Sequence, residues 1–185
     1  MPTLISGSTG VNKIQTGAIE TVDLPAGSAL QVVSVTKTDT FSFNQSGGWV
    51  TVTGMSITLP AIQSGSKILV SGVVHFGGVA DTNPTGRIRD SIDGLVQLPS
   101  GSGQTLGHFG SSYLDSSSSL QFLLFPSPFN YMYTPSTTAQ RTMSVEVTQG
   151  DTNNLTCYVN RSSHNGAYAW ISNGMSTITV MEIAG

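Results

Sequence analysis

Charged side chains are scarce in this sequence, and their scarcity argues against several functions. Asp, Glu, Lys and Arg make up only 9% of the 185 residues, far below the roughly 25% of an average soluble domain. The net charge is −3 and the few Lys and Arg residues form no cluster, which argues against nucleic-acid binding. Few carboxylates and amines are left for acid–base chemistry. Ser and Thr replace them as the groups that keep the surface solvated.

Cysteine and long hydrophobic runs are lacking as well. Cys157 is the only cysteine, so no disulfide within the chain supports the fold. Inside the run LTCYV it alternates with Leu155 and Val159, which predicts a side chain that fills the core. No apolar run is long enough to span a bilayer, and the chain does not open on a signal-peptide hydrophobic block. We therefore expect a soluble protein that is made in a cytoplasm and does not insert into a membrane.

Helical periodicity is also missing. No window keeps apolar residues at i, i+3, i+4 and i+7, and 21 glycines interrupt the runs together with many Ser and Thr residues. Short runs of alternating apolar and polar residues predict strands instead. The predicted strands are Leu30–Thr38, Trp49–Leu59, Lys67–Phe76, Gly86–Ile92, Leu95–Leu98, Leu120–Phe125, Thr142–Thr148, Leu155–Asn160 and Thr177–Ile183. Such a series without helices predicts an all-β, jelly-roll-like antiparallel β-sandwich.

Two glycines predict local features of this sandwich. In the run GWVTVTGMSITL the aliphatic residues Val50 and Val52 occupy even positions before Gly54, and Met55, Ile57 and Leu59 occupy odd positions after it. A bulge at this glycine would restore their inward direction. In SIDGLV the pair Asp93-Gly94 lies between the apolar residues Ile92 and Leu95-Val96, which predicts a two-residue hairpin whose turn needs positive φ.

The last predicted strand, in STITVMEI, is apolar on both faces. Ile178 and Val180 point to one side of the strand, and Met181 and Ile183 point to the other. A strand of this kind is usually buried on both faces. Either another subunit supplies the second layer, or loops of the same chain cover a central strand.

The residue patterns of common catalytic and metal sites are absent from the sequence. No G-x-S-x-G run is present, and His75, His108 and His164 are isolated from one another. Only His75, on a predicted strand, could join a three-histidine site around a symmetry axis. Asp90 and Asp93 are the closest carboxylates for glycan hydrolysis, but they bracket the hairpin, where Asp supports turn geometry. We expect no catalytic residue, no metal site and no cofactor.

Two loop-like stretches, Phe125–Ser136 and Asn160–Trp170, carry most of the Tyr and Trp residues. Aromatic faces beside amides and hydroxyls suit sugar recognition. Alternatively, the rings pack against the ends of the sandwich or against a neighbouring subunit. The candidate contacts to a host surface are Tyr131, Tyr133, Tyr168 and Trp170.

Several phrases, taken in order, resemble a domain that recurs in tail-fibre and other virion proteins of phages, notably those that infect cyanobacteria. The phrases are VSVTKTDTFSF, VTVTGMSITLP, SGSKILVSG, RIRDSIDG and STITVMEI. The resemblance covers about Ala29 to Gly185, and its specificity lies in the order of the phrases. It implies a non-enzymatic virion structural protein, a homotrimer with a sandwich head.

Residues 1–28 then form an N-terminal anchoring arm, and residues 29–185 form the β-sandwich head. Pro25 and Gly27 interrupt regular structure before the head begins; the alternative is a disordered tail. The aliphatic residues that we expect to dock the arm on other virion proteins are Ile5, Val11, Ile14, Ile19, Val22 and Leu24. For the trimer interface we expect Ile178, Val180, Met181 and Ile183.

The expected function is that of a tail or baseplate fibre in the virion. The arm docks on the particle and the trimeric head contacts the host surface, with a surface glycan as a candidate receptor. The alternative is a capsid decoration or cement protein, which would use the same arm and trimer to clamp capsid subunits. An enzyme acting on cell-envelope glycans is a distant third hypothesis.

Overall fold

The computed structural model describes residues 23–44, 47–96, 109–110, 113–114, 120–150, 154–164, 171 and 173–185. These residues form strands and short 3-10 segments, among them the helix Leu120–Phe122, and they include no α-helix. The strands are β1 (Ala29–Lys37), β2 (Phe41–Phe43), β3 (Val50–Leu59), β4 (Lys67–Gly78), β5 (Pro84–Asp90), β6 (Gly94–Leu95), β7 (Phe109–Gly110), β8 (Phe125–Tyr133), β9 (Arg141–Gln149), β10 (Cys157–Val159) and β11 (Ser176–Ile183). The all-β prediction is confirmed.

The described strands pair in two antiparallel sheets. The first sheet has the order β1-β11-β4-β8, and the second has the order β3-β9-β5-β6, with β7 also paired to β5. Strand β4 is long: β11 and then β10 pair along one edge, and β8 pairs along the other. Strand β2 pairs with β10. This order is that of a jelly roll, in which the chain alternates between two packed sheets. The predicted jelly-roll sandwich is confirmed.

The core lies between the sheets and is filled by alternating residues. In β9, Met143, Val145 and Val147 are fully buried and face the first sheet. Cys157 is buried in the same core, and this burial raises the pKa of its thiol to about 12. Its predicted role as a core side chain is confirmed.

The bulge predicted at Gly54 is present in β3. Gly54 has a φ of 81°, and the register of β3 against β9 shifts between Thr51 and Ser56. Val52 before the shift and Met55 after it are both fully buried. Residues 52–55 of β3 thus lie opposite the single residue Val145 of β9. This odd excess of three residues keeps the apolar side chains of both halves of the strand pointing into the core.

The hairpin predicted at Asp93-Gly94 is present, but its loop is longer than predicted. Asp90 pairs with Gly94, so residues 91–93 form a three-residue loop between β5 and β6. Gly94 has a φ of 79° and supplies the left-handed position. A three-residue loop closed by such a residue is the next most common hairpin connection.

The region around residues 120–136 differs from the sequence-based prediction. The predicted strand Leu120–Phe125 is largely replaced by the 3-10 helix, and the predicted loop contains β8. Pro126 and Pro128 make this segment look unlike a strand, because proline has no N–H to donate a hydrogen bond to a neighbouring strand and is rare in central strands. Among the described strands β8 pairs only with β4, so its other edge needs no donors. Strands β2 and β7 were not predicted.

Two glycines leave room for aromatic rings in the core. A Cβ on Gly86 would collide with the ring of Phe109, and one on Gly72 would collide with Phe129 and the carbonyl oxygen of Thr177. The rings of Phe109 and Phe129 stack with their centroids 4.7 Å apart. Phe109 thereby anchors β7 to the core.

Candidate functional site

Side chains that could bind a metal are dispersed in the described part of the chain. No three His, Cys, Asp or Glu residues there lie close enough to hold a metal ion. His75 lies on β4, where its backbone N–H donates to Ser176 Oγ at 3.0 Å, and the ring of His164 lies 4.3 Å from that of Phe122. His108 lies outside the described residues. The same described residues include no helix long and apolar enough to cross a membrane.

Asp90 and Asp93 are both held by one buried arginine. Nη1 of Arg141 lies 2.6 Å from Asp90 Oδ2 and 2.8 Å from Asp93 Oδ2. Arg141 is only 1% exposed. Burial opposes ionisation of Asp93, but hydrogen bonds from Ser136 and Arg141 outweigh it and lower its pKa. Through these ion pairs the two carboxylates hold the β5–β6 hairpin against the start of β9, which is a structural role.

Tyr131 and Tyr133 face the interior of the sandwich. The Tyr133 hydroxyl donates to Asp90 Oδ2 at 2.5 Å, and burial together with this carboxylate raises its pKa. Tyr131 packs against the core, and burial raises its pKa as well. Both rings therefore support the fold. Tyr168 and Trp170 lie outside the described residues, and contact of these four aromatics with a host surface stays a prediction.

The structure separates the residues expected at the trimer interface into two groups. Ile178 and Val180 are 0% exposed and lie in the core of their own sandwich. Met181 and Ile183 point away from the core and are half-buried. Only the second pair lies on the side of β11 that another subunit could reach.

Glu182 also faces inward on β11, where the sequence pattern suggested no polar cluster. Its carboxylate accepts hydrogen bonds from Gln31 Nε2 at 2.6 Å, from the backbone N–H of Gln63 at 2.6 Å and from Ser66 Oγ at 2.7 Å. These donors satisfy the buried carboxylate and fasten the β3–β4 connection to the end of the first sheet.

A row of apolar side chains crosses the outer face of the first sheet. Val32 pairs with Met181, Met181 pairs with Leu69, and Leu69 pairs with Met132. These four residues, one from each of β1, β11, β4 and β8, are called the apolar row. Val32 is 54% exposed and Met132 is 45% exposed. Because the row exists only through the register of four strands, no single stretch of sequence indicates it.

The rest of this outer face is almost free of charge. The outward residues of the four strands, given by the same register, are Val32, Ser34, Thr36, Lys67, Leu69, Ser71, Val73, His75, Pro126, Pro128, Asn130, Met132, Thr177, Thr179, Met181 and Ile183. We call this set the outer face. Within it, Lys67 at one end is the only residue with a formal charge at pH 7.

A hollow of about 700 Å³ opens at the end of the outer face beside the apolar row. Its lining includes Ala26, Gly27, Lys67, Met132 and Ile183. The arm residue Leu24 is exposed and lies two positions before this lining. The other five arm residues, Ile5, Val11, Ile14, Ile19 and Val22, lie outside the described residues, so the docking role of the arm stays a prediction.

The opposite outer face, on the second sheet, has a different character. Hydroxyl side chains dominate it, as in the bond between Thr58 and Thr142 at 3.1 Å. Its charges are partnered: Arg87 lies 2.7 Å from Glu146 and stacks 4.0 Å from the Trp49 ring centroid. We call this the hydroxyl face. The sandwich thus presents one well-solvated polar face and one face with an uncharged apolar row.

Comparisons with known proteins give weak likenesses only. No protein-family model matches the chain, and no curated protein matches it in sequence. Three solved structures of infectious bursal disease virus overlap 83% of this chain at 16–17% identity and TM-scores of 0.41–0.42. They are a structure of the Gx strain, T=1 particles derived from the virus, and a subviral particle of VP2. The chain spans 36–41% of their length, and these values assign no family.

Proposed function

We propose that this chain is a structural protein of a phage virion, in which it forms a tail or baseplate fibre. The ordered phrases between residues 29 and 185 support this assignment through their resemblance to phage virion proteins. The jelly roll is compatible with it, since viral capsid proteins use this fold, although lectins and cupins use it too. The observation that carries the proposal is the outer face, where an uncharged apolar row crosses a whole sheet.

An exposed apolar surface that is rimmed by polar residues is typical of a protein–protein contact. Enzymes instead converge polar and titratable groups on a concave pocket. In the described residues, the buried titratable groups around Arg141 are bonded to one another. The exposed apolar row and these mutually bonded titratable groups therefore favour a role in assembly over a role in catalysis.

In this proposal, residues 1–28 dock the chain on other virion proteins, and three heads assemble around an axis. The distal surface of the trimer contacts the host, with a surface glycan as the candidate receptor. The protein is made in the host cytoplasm and ends in the virion. It needs no cofactor, metal or nucleic acid.

Antibody labelling of purified virions, viewed by electron microscopy, tests the proposal. Label at the tail or baseplate is the expected result. Label spread over the capsid would contradict the fibre and identify a capsid decoration protein, whose loss should weaken particles under osmotic shock. Absence of the chain from purified virions would overturn both structural roles.

A further inference from the structure

The outer face leaves apolar side chains exposed in a pattern that a single head does not explain. Scattered exposed hydrophobics are common on protein surfaces. Here, however, Val32, Met181, Leu69 and Met132 are consecutive cross-strand neighbours and form a continuous row. A contiguous apolar patch of this kind marks a surface that another molecule covers.

The near absence of charge on the outer face indicates which kind of molecule can cover it. The core of a protein interface is depleted of charged residues and enriched in methionine. The apolar row contains Met132 and Met181. Lys67, which lies beside the row at one end of the face, carries the sole formal charge among the outer-face residues. Such a face does not repel a second copy of itself, whereas it offers no counter-charge to a strongly charged partner.

The size and shape of the outer face fit another sheet. Four strands about 4.8 Å apart and about eight residues long, at about 3.3 Å per residue, outline roughly 500 Å². A stable interface takes about 800 Å² of accessible surface from each partner. Nearly the whole face must therefore be covered, together with its rims. The outer faces of other copies, which have the same size and twist, can cover it, while small ligands prefer concave pockets.

We propose that the outer face packs against the outer faces of other copies of this chain. The number of copies, three, rests on the proposed function; the choice of face does not. Around a threefold axis parallel to the strands, the β1 side of one copy meets the β8 side of the next. Val32 then contacts Met132 of the neighbouring copy, and Met181 and Leu69 lie nearest the axis. Ile178 and Val180 stay in the core of each head.

Light scattering on the full chain, coupled to size-exclusion chromatography, tests which face is used. The wild type is expected at three times the mass of one chain. Val32→Lys and Met132→Lys place a charge in the interface and should weaken association by about 100-fold or more. Both positions are exposed and point away from the core, so the heads should keep the wild-type circular dichroism spectrum. Ser56→Lys, at an exposed position on the hydroxyl face, is the matched control and should keep the wild-type mass.

Disulfide trapping tests the neighbour relation directly. Val32 and Met132 of one chain are separated by three strand spacings, about 14 Å, which is beyond the reach of a disulfide. A bond in the Val32→Cys, Met132→Cys double variant must therefore join two copies, because Cys157 is buried. Oxidation should produce a covalent trimer on a denaturing gel.

Each outcome separates the two proposals. A monomeric wild type, or a trimer that survives both lysine substitutions, would overturn the assignment of this face. A dimer that both substitutions dissociate would support the face and contradict the trimer of the proposed function. If the chain is absent from purified virions but forms a trimer that the two lysine substitutions dissociate, only the virion role is overturned.

Discussion

Replacing Arg141 by methionine should be the most damaging single change at the end of the sandwich. The substitution keeps an unbranched apolar stem but removes the guanidinium that bonds Asp90 and Asp93. Asp90 would keep hydrogen bonds from the Tyr133 hydroxyl and from the backbone N–H of Ile92. Its carboxylate, however, would stay buried without a cation.

The magnitude follows from the burial of this pair. Removing one partner of a buried ion pair costs about 3–5 kcal/mol of unfolding free energy, because the other charge is left uncompensated. For a domain of this size, about 1 kcal/mol shifts the melting temperature by about 2–4 °C. Arg141→Met should therefore lower the melting temperature by about 6–20 °C. Adding Asp90→Leu to Arg141→Met removes the stranded charge and should recover part of this loss.

Urea unfolding followed by tryptophan fluorescence measures the effect, at one fixed protein concentration because association adds to stability. The control is Arg89→Met. Its side chain is 51% exposed and lies 3.9 Å from Glu146, so less than about 1 kcal/mol should be lost. A loss below about 1 kcal/mol in Arg141→Met would refute the reasoning, as would a double variant less stable than the single one.

Three further predictions concern the head. Folding lowers the pKa of Asp93, so the ionised carboxylate stabilises the head above the unfolded pKa, and this contribution is lost as pH falls through the folded pKa. In Asp93→Asn the melting temperature should therefore fall less steeply as the pH is lowered, and a slope equal to that of the wild type would contradict this. Gly72→Ala pushes a Cβ into the carbonyl of Thr177 and should cost about 1–3 kcal/mol in urea unfolding, whereas the outward Ser71→Ala should be nearly neutral. The Cys157 thiol, whose pKa burial raises to about 12, should resist alkylation at pH 8 until urea unfolds the head; rapid labelling of the folded protein would argue against its burial.

Features set by neighbouring residues were predictable from the sequence. The bulge at Gly54 follows from a phase change that only a few adjacent residues define, and the same holds for the core role of Cys157. The hairpin at Gly94 was predicted in kind but not in loop length, because two- and three-residue loops place a glycine at similar positions. The strand β8 was missed because its prolines are permitted only by its edge position, which local sequence does not reveal.

Features set by pairing between distant segments could not be predicted. The apolar row joins β1, β11, β4 and β8 through register alone. Arg141 reaches the carboxylates of the β5–β6 hairpin because the sandwich brings β9 beside β5. Nothing in the sequence near Tyr133 indicates that its ring turns inward to Asp90. The pattern of STITVMEI therefore indicates the strand that carries Met181, but only the register shows which face of this strand is open.

Peroxide oxidation of Met132, followed by peptide mass spectrometry, tests most directly whether copies of the chain cover the outer face. In a single head this side chain is 45% exposed and should react readily, while the fully buried Met55 and Met143 should not. If the outer faces pack together, Met132 is protected in the wild type and reacts quickly in Val32→Lys. Equal, rapid oxidation of Met132 in the two proteins would contradict the account.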